Sequence, residues 1–287
     1  MRRIARAPAS SANLGPGFDT LAVALSLYVE VELTPRPEGL LVVSEGEGAD
    51  LPGGARHLAA KVVTEVLGHD RVELHVRSEV PVARGLGSSA ALAVAAAAAA
   101  GATEPFRYGY AIDGHPENAA ASAFGGLVAA AVVDGRPVAR RLGLDPQLRF
   151  VVLVPERQLS TSAARAALAE TVLHSDAAFN LSRLGLLVAG LADHHQLLAE
   201  AGDDRLHQDR RSSLFPESVA LLAGLREAGA LMSCWSGAGP SLLGICAEQD
   251  AATVAKAARL LMDDLAVSGT VLVLAADVMG TRAHSSG

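Results

Sequence analysis

The chain has 287 residues, half of them hydrophobic, and carries a formal net charge of −7 with only 3% aromatic residues. That length suits roughly two domains of about 150 residues each, with a sizeable core. The acidic balance, the scarcity of lysine (Lys61 and Lys256) and the few aromatics argue against a nucleic-acid surface, which needs basic patches and stacking platforms. Cys234 and Cys246 are too few for a disulfide framework or a four-cysteine metal site, and read as reduced core thiols. The N-terminus MRRIARAPASSANLG lacks the apolar stretch of a secretory signal. Of the long apolar runs, Ala90–Ala100 is too short to span a bilayer, and Ala119–Val133 is broken by Ser122, Gly125 and Gly126. A cytoplasmic protein without membrane or nucleic-acid partners is expected.

In chain order, alternation predicts a strand over Val23–Leu33. A helix over Ala55–Leu67 is ended by Gly68, and a short strand follows at Val72–Val76. Ser88–Ala100, largely alanine, is predicted helical, and Gly126–Val133 is strand-like. This first α+β unit ends near Asp145–Pro146. The second opens with the apolar strand Leu148–Val154, followed by helices over Ser162–Ala169, Ala177–Ala199 and Glu217–Ala228. Leu231–Trp235 and Ser241–Ala247 read as strands paired around SGAGP, before a helix at Ala251–Leu265 and a strand at Val271–Ala276. The order β, α, β, β, α, β suggests a ferredoxin-like split βαβ arrangement. Arg282–Gly287 is expected to fray, and His194–His195 to be surface histidines of a helix.

Three segments carry chemistry. In PVARGLGSSAALAV, beginning at Pro81, Gly85 and Gly87 allow close approach of backbone to a ligand. Ser88 and Ser89 then start a helix whose free N–H groups and dipole favour phosphate. No lysine follows Gly87, so this is not a Walker loop; Gly85, Gly87 and Ala90 match the dinucleotide fingerprint, but no βαβ context surrounds them. PASSANLGPGFDTLAVAL, from Pro8, is either an ordinary turn or a site mouth with Asn13 and Asp19 as polar anchors. CWSGAGPSLLGIC, from Cys234, is either a hairpin turn or a second glycine loop, with Gly237 and Gly239, closing on phosphates.

Together and in this order, the three segments resemble those of the GHMP kinases, whose loop P-x-x-x-G-L-G-S-S-A-A is matched from Pro81 to Ala91. Further segments, SANLGPGFD at Ser11–Asp19, GHPEN at Gly114–Asn118, STSAAR at Ser160–Arg165 and RLHQDRR at Arg205–Arg211, are similar to those of the members that phosphorylate homoserine. The resemblance implies an α+β, two-domain architecture: residues 1–146 as a ribosomal-protein-S5-like ATP-binding domain and residues 147–287 as a ferredoxin-like domain. It implies that Pro81, Arg84, Gly85, Leu86, Gly87, Ser88, Ser89, Gly237 and Gly239 bind ATP, and that Ser89 and Asp113 hold Mg²⁺. Asn13, Asp19, His115, Arg165 and Arg211 would surround homoserine, with Asp19 on its ammonium, and Thr161 near its hydroxyl; Thr161, Asp19 and Arg165 would form the catalytic group. Asp113 stands where the family has glutamate, and Asp209-Arg210 where it has Pro-Tyr.

The residue chemistry is compatible with that assignment. Arginine grips a carboxylate through two parallel hydrogen bonds, which suits Arg165 and Arg211 to one end of an amino acid. Without the resemblance, Arg165 reads rather as a solvated helix residue, Arg211 as part of a wet charged run, His115 as a loop or capping residue, and Asp113 as a turn residue. The expected activity is ATP-dependent phosphorylation of homoserine, in threonine biosynthesis. Phosphorylation of another small alcohol, such as a sugar or mevalonate, and a non-catalytic ligand-binding relative are the alternatives; a homodimer is left open.

Overall fold

The computed structural model describes residues 1–286 and contains two sheets. The chain begins with β1 (Arg2–Ala12), β2 (Leu21–Pro35) and β3 (Leu40–Gly46), then crosses through α1 (Leu58–Leu67) to β4 (Val72–Ser78), which pairs parallel to β3. Three helices follow: α2 (Ser88–Ala100), α3 (Pro105–Asp113) and α4 (Pro116–Phe124). A hairpin, β5 (Leu127–Val133) and β6 (Arg136–Leu142), completes the first unit. The second unit runs β7 (Leu148–Pro155), α5 (Thr161–Ala166), α6 (His174–Ala192), α7 (Gln208–Ser212), α8 (Ser218–Glu227), β8 (Met232–Trp235), β9 (Leu242–Ala247), α9 (Ala251–Asp264) and β10 (Gly269–Leu274). Its antiparallel sheet has the order β10-β7-β9-β8, the ferredoxin-like arrangement that the strand pattern suggests.

The last strand departs from expectation. Arg282–Ser286 does not fray; as β11 it pairs antiparallel with β1 and extends the first sheet to the order β11-β1-β2-β4-β3. The chain's end thus returns to the unit in which it began. The return path is tight, because Gly126 N–H donates to Asp277 O (2.7 Å) and Asp277 N–H to Ala24 O (3.0 Å). Gly125 has φ +70 and ψ 170, a conformation open essentially to glycine alone, and a Cβ there would meet the backbone nitrogens of Gly280 and Met279. The Gly125–Gly126 pair serves this crossing.

The helix α2 is the pillar of the first unit. Nine of its residues, from Ala90 to Ala100, are buried, because it packs against β1, β2, α1, α3 and α4 at once. Alanine permits such crowding; at Gly109 of α3 even a Cβ would press on Val94 and Ala119. β7 alternates its faces: Phe150 and Val152 join the core that contains α2, while Val151 and Leu153 face a second core with α8 and α9. One apolar cluster therefore spans both units.

Two other expectations need correction. The helix predicted to Ala199 stops at Ala192, and His194 is buried rather than on the surface; its backbone and its Nδ1 both engage Asp145 Oδ2. Those hydrogen bonds, with another from the Gln147 amide, lower the Asp145 carboxyl to about 2. The ligand atoms of Asp193, His194 and His195 lie within 4.8 Å of one another, but Asp193 caps the following turn and none of the three lines the cleft described below. Cys234 and Cys246 are free and buried, and burial pushes both thiols up to about 12. Among the described residues no helix is long and apolar enough to cross a membrane.

Gly125→Ala is expected to destabilise the protein by roughly 1–3 kcal/mol, read as a lower urea midpoint. An unchanged midpoint would contradict the crossing described here.

Candidate functional site

The three segments singled out in the sequence meet in one cleft between the two sheets. Gly85 and Gly87 both have positive φ (75° and 65°). A Cβ on Gly85 would strike Ser236 O, and one on Gly87 would strike Ser10 Oγ, so only glycine lets these strands of backbone close. The SGAGP turn faces the first glycine loop directly. Ser241 N–H donates to Arg84 O (3.2 Å), Ser236 Oγ donates to Gly85 O (2.7 Å), and Ser236 Oγ lies 2.8 Å from Ser11 Oγ. Gly237 N–H donates to Ala12 O (2.9 Å), which ties in the N-terminal segment.

This arrangement leaves the N-terminus of α2 open. Its cap is Gly87, which offers no side chain, and Ser89 in the first turn is exposed. The thirteen-residue helix therefore aims the uncapped N–H groups of its first turn and its positive dipole end into the cleft. That is an anion site built from backbone.

Beyond it lies a charged group. Asp19 and Arg165 form a bidentate pair, with Arg165 Nη1 and Nη2 donating to Asp19 Oδ2 (3.1 Å) and Oδ1 (2.9 Å). Arg165 and Thr161 are four residues apart on α5, so both reach the cleft from one helix face. Arg211, on α7, is 2% exposed. Its Nη1 donates to Gly237 O (2.9 Å), and burial, with the nearby charge of Arg165, lowers it to about 10. Both guanidinium carbons lie 5.5 Å from the centroid of the Phe18 ring, which stacks on His207 (centroids 5.0 Å apart). His207 Nε2 is 2.8 Å from Gly15 O, and its Nδ1 is 3.1 Å from Arg211 Nη1. A carbonyl only accepts and a guanidinium only donates, so the ring carries its proton on Nε2 and is neutral. Burial lowers it to about 4, which agrees.

The segment Gly202–Arg211, which composition alone presents as wet, is pinned from inside by Asp204. That carboxylate accepts from Asn180 Nδ2 and from the amides of Leu206, His207 and Gln208. Burial would raise it, but the hydrogen bonds facing it hold it below its ordinary value. This hub places Arg211 in the cleft although Asp209-Arg210 replaces the family's Pro-Tyr.

Of the predicted site residues, Asn13, Asp19, Pro81, Arg84, Gly85, Leu86, Gly87, Ser88, Ser89, Asp113, His115, Thr161, Arg165, Arg211 and Gly237 line this cleft, and Gly239 does not. Gly239 shapes the turn; its missing Cβ would overlap the Trp235 ring. Arg84 lines the wall, but its guanidinium is committed to the carbonyls of Pro155, Val82 and Glu156, where it fastens the first unit to the second. Asn13 is likewise a brace, its Nδ2 donating to Gly237 O (2.8 Å) and its Oδ1 accepting from Asp19 N–H (3.0 Å).

Glu117 and Asn118 also line the cleft, although neither was singled out from the sequence. Asn118 Oδ1 accepts from Ser10 Oγ (2.9 Å). Glu117 is 3% exposed, and its Oε2 has no hydrogen-bond partner among the described residues. Burial, aided by the negative charge of Asp19, pushes its carboxyl up to about 7. Nothing in GHPEN distinguishes a desolvated glutamate from a solvated one; only the fold does.

The description "GHMP kinases N terminal domain" fits residues 55–126, and "GHMP kinases C terminal" fits residues 180–263. A homoserine kinase of Rhodococcus erythropolis is 42% identical to this chain, over 89% of each, and one of Leifsonia xyli is 39% identical over 96% of this chain and 90% of its own. The crystal structure of homoserine kinase from Cytophaga hutchinsonii superposes with a TM-score of 0.88 at 25% identity, covering 99% of this chain and 97% of that one.

Glu117 is expected to make stability pH-dependent. Its folded pKa, about 7, lies above the ordinary glutamate value of 4.5, so folding takes up a proton between those values. Stability contributed by the protonated form is present below about pH 4.5 and is lost as pH rises through 7. Glu117→Gln should therefore be more stable than wild type at pH 8, by up to about 3 kcal/mol, and equal to it at pH 4. Urea titrations at both pH values check this; equal stability at pH 8 would contradict the burial assigned to this carboxyl.

Proposed function

The chain belongs to the GHMP kinases, and from that membership and the cleft we propose that it transfers the γ-phosphoryl group of ATP to the side-chain hydroxyl of L-homoserine. The product, O-phospho-L-homoserine, is a precursor of threonine. The observation that carries this reading is the convergence, in one cleft, of a helix N-terminus suited to polyphosphate with an Asp19–Arg165–Arg211 group suited to an amino acid. The relatives of about 40% identity, homoserine kinases over most of this length, support it.

In this reading the amides of Ser88 and Ser89 bind phosphoryl oxygens at the end of α2. Arg165 and Arg211 take the substrate carboxylate, and Asp19 takes its ammonium. Thr161, one turn before Arg165, orients the acceptor hydroxyl. Mg²⁺ is expected with the nucleotide, and the donors present fit it: the exposed Ser89 hydroxyl, the Asp113 carboxylate at the rim, and Glu117 Oε2, buried without a partner. Those residues would hold the ion, which when bound would neutralise charge on the polyphosphate.

Neither lysine of the chain lines the cleft, so no lysine–aspartate pair is available to activate the hydroxyl. Catalysis then rests on alignment and on charge stabilisation, which phosphoryl transfer mainly requires, and the hydroxyl proton leaves to phosphate or solvent.

A coupled ADP-release assay tests the reading. Turnover with homoserine and none with mevalonate is expected; turnover of mevalonate alone, or binding of homoserine and ATP without turnover, would contradict it. Ser89→Ala should lower kcat by about tenfold or more, through lost placement of the metal and polyphosphate. Arg165→Ala should raise KM for homoserine by about tenfold or more while KM for ATP stays within about twofold. An unchanged homoserine KM would remove Arg165 from the substrate site.

A further inference from the structure

The positive groups of the cleft already hold an anion, and that anion belongs to the protein. Arg165 and Arg211 both approach the Phe18 ring, each guanidinium carbon 5.5 Å from its centroid, and their mutual repulsion helps lower Arg211. Two guanidiniums so placed need a carboxylate between them. Asp19 supplies it, bidentate to Arg165 at 2.9 and 3.1 Å and favourable to Arg211 by its charge. The two cations differ in commitment. Arg211 is buried and hydrogen-bonded to Gly237 O and His207, so it is fixed. Arg165 has a side chain 38% exposed, and its one strong partner is Asp19, itself 33% exposed; its Nε has no partner among the described residues. A pair this accessible to water is weak enough to exchange.

We propose that the Asp19–Arg165 ion pair selects zwitterions: closed on itself when the site is empty, it opens only for a substrate whose carboxylate replaces Asp19 and whose ammonium replaces Arg165. This rests on the reading of the cleft as an amino-acid alcohol site. Homoserine satisfies both halves at once, and the one ion pair within the protein is exchanged for two with the ligand. An alcohol with a carboxylate but no ammonium strands Asp19 near Glu117, whose carboxyl it already opposes. An alcohol with an ammonium but no carboxylate strands Arg165 beside Arg211. The pair thus penalises each half-substrate, although it touches only groups that homoserine also offers. A ligand's apparent affinity falls by the fraction of protein in the competent state, so releasing Arg165 should strengthen carboxylate binding.

The consequence is a gain of binding. Asp19→Asn keeps the size of the side chain and tolerates the local φ of +51, but cannot form the bidentate ion pair with Arg165. Binding of 4-hydroxybutyrate, which is homoserine without its ammonium, is measured by calorimetry on wild type, Asp19→Asn, Arg165→Ala and the double variant. Asp19→Asn is expected to bind it about three- to tenfold more tightly than wild type, and the gain should vanish in the Arg165→Ala background. No gain, or a gain of the same size without Arg165, would overturn the proposal, the latter pointing to general electrostatics. Asp19→Ser is read identically should Asp19→Asn not melt cooperatively. Wild-type turnover of homoserine is scored separately, so failure of the functional reading and failure of the selector are distinguishable.

Discussion

One hydrogen-bonded knot makes the rest of this molecule intelligible. Ser236 lies within hydrogen-bond distance of both Gly85 and Ser11, although the three are far apart along the chain. Around them Ser241 meets Arg84 and Gly237 meets Ala12. The knot demands glycine at 85, because a Cβ there would occupy the space of the Ser236 carbonyl. It sets the second unit's turn against the first unit's loop, and it fixes where α2 begins. Since Gly87 has no side chain to cap that helix, its N-terminal amides remain available to a ligand.

The charged half of the cleft is supported from behind in a different way. Asp204 binds three successive amides after it and so holds His207 and Arg211 in place. His207, neutral and stacked on Phe18, passes that placement to the N-terminal segment through Gly15. Buried groups such as these are costly unless fully partnered, and their partners here are almost all backbone. Glu117 is an exception, as is Arg165 Nε. Its unpartnered oxygen is a reserve of unfavourable energy that a cation in the cleft would relieve.

What could be read from the sequence was local. The span Ser88–Ala100 was predicted to the residue, because glycines mark both of its ends and alanine fills it. The strand order of the second unit was legible from alternation and from a tight turn. β1 was not, since RRIARAPASSA lacks the branched and aromatic residues that signal a strand; it is held by neighbours on both sides. β11 was missed for the same reason, its partner being at the other end of the chain. Asp204, His207 and Glu117 read as ordinary polar residues because desolvation is a property of the fold. Asn13 and Arg84 line the cleft, but their side chains are engaged by backbone, which no motif could disclose.

The account depends on the open end of α2 being where polyphosphate sits. A crystal structure with a non-hydrolysable ATP analogue is the most direct measurement. The account predicts phosphate oxygens within hydrogen-bond distance of the Ser88 and Ser89 amides, on the side of the cleft facing Arg165. A polyphosphate bound away from those amides, with the Gly85–Ser89 loop untouched, would contradict it.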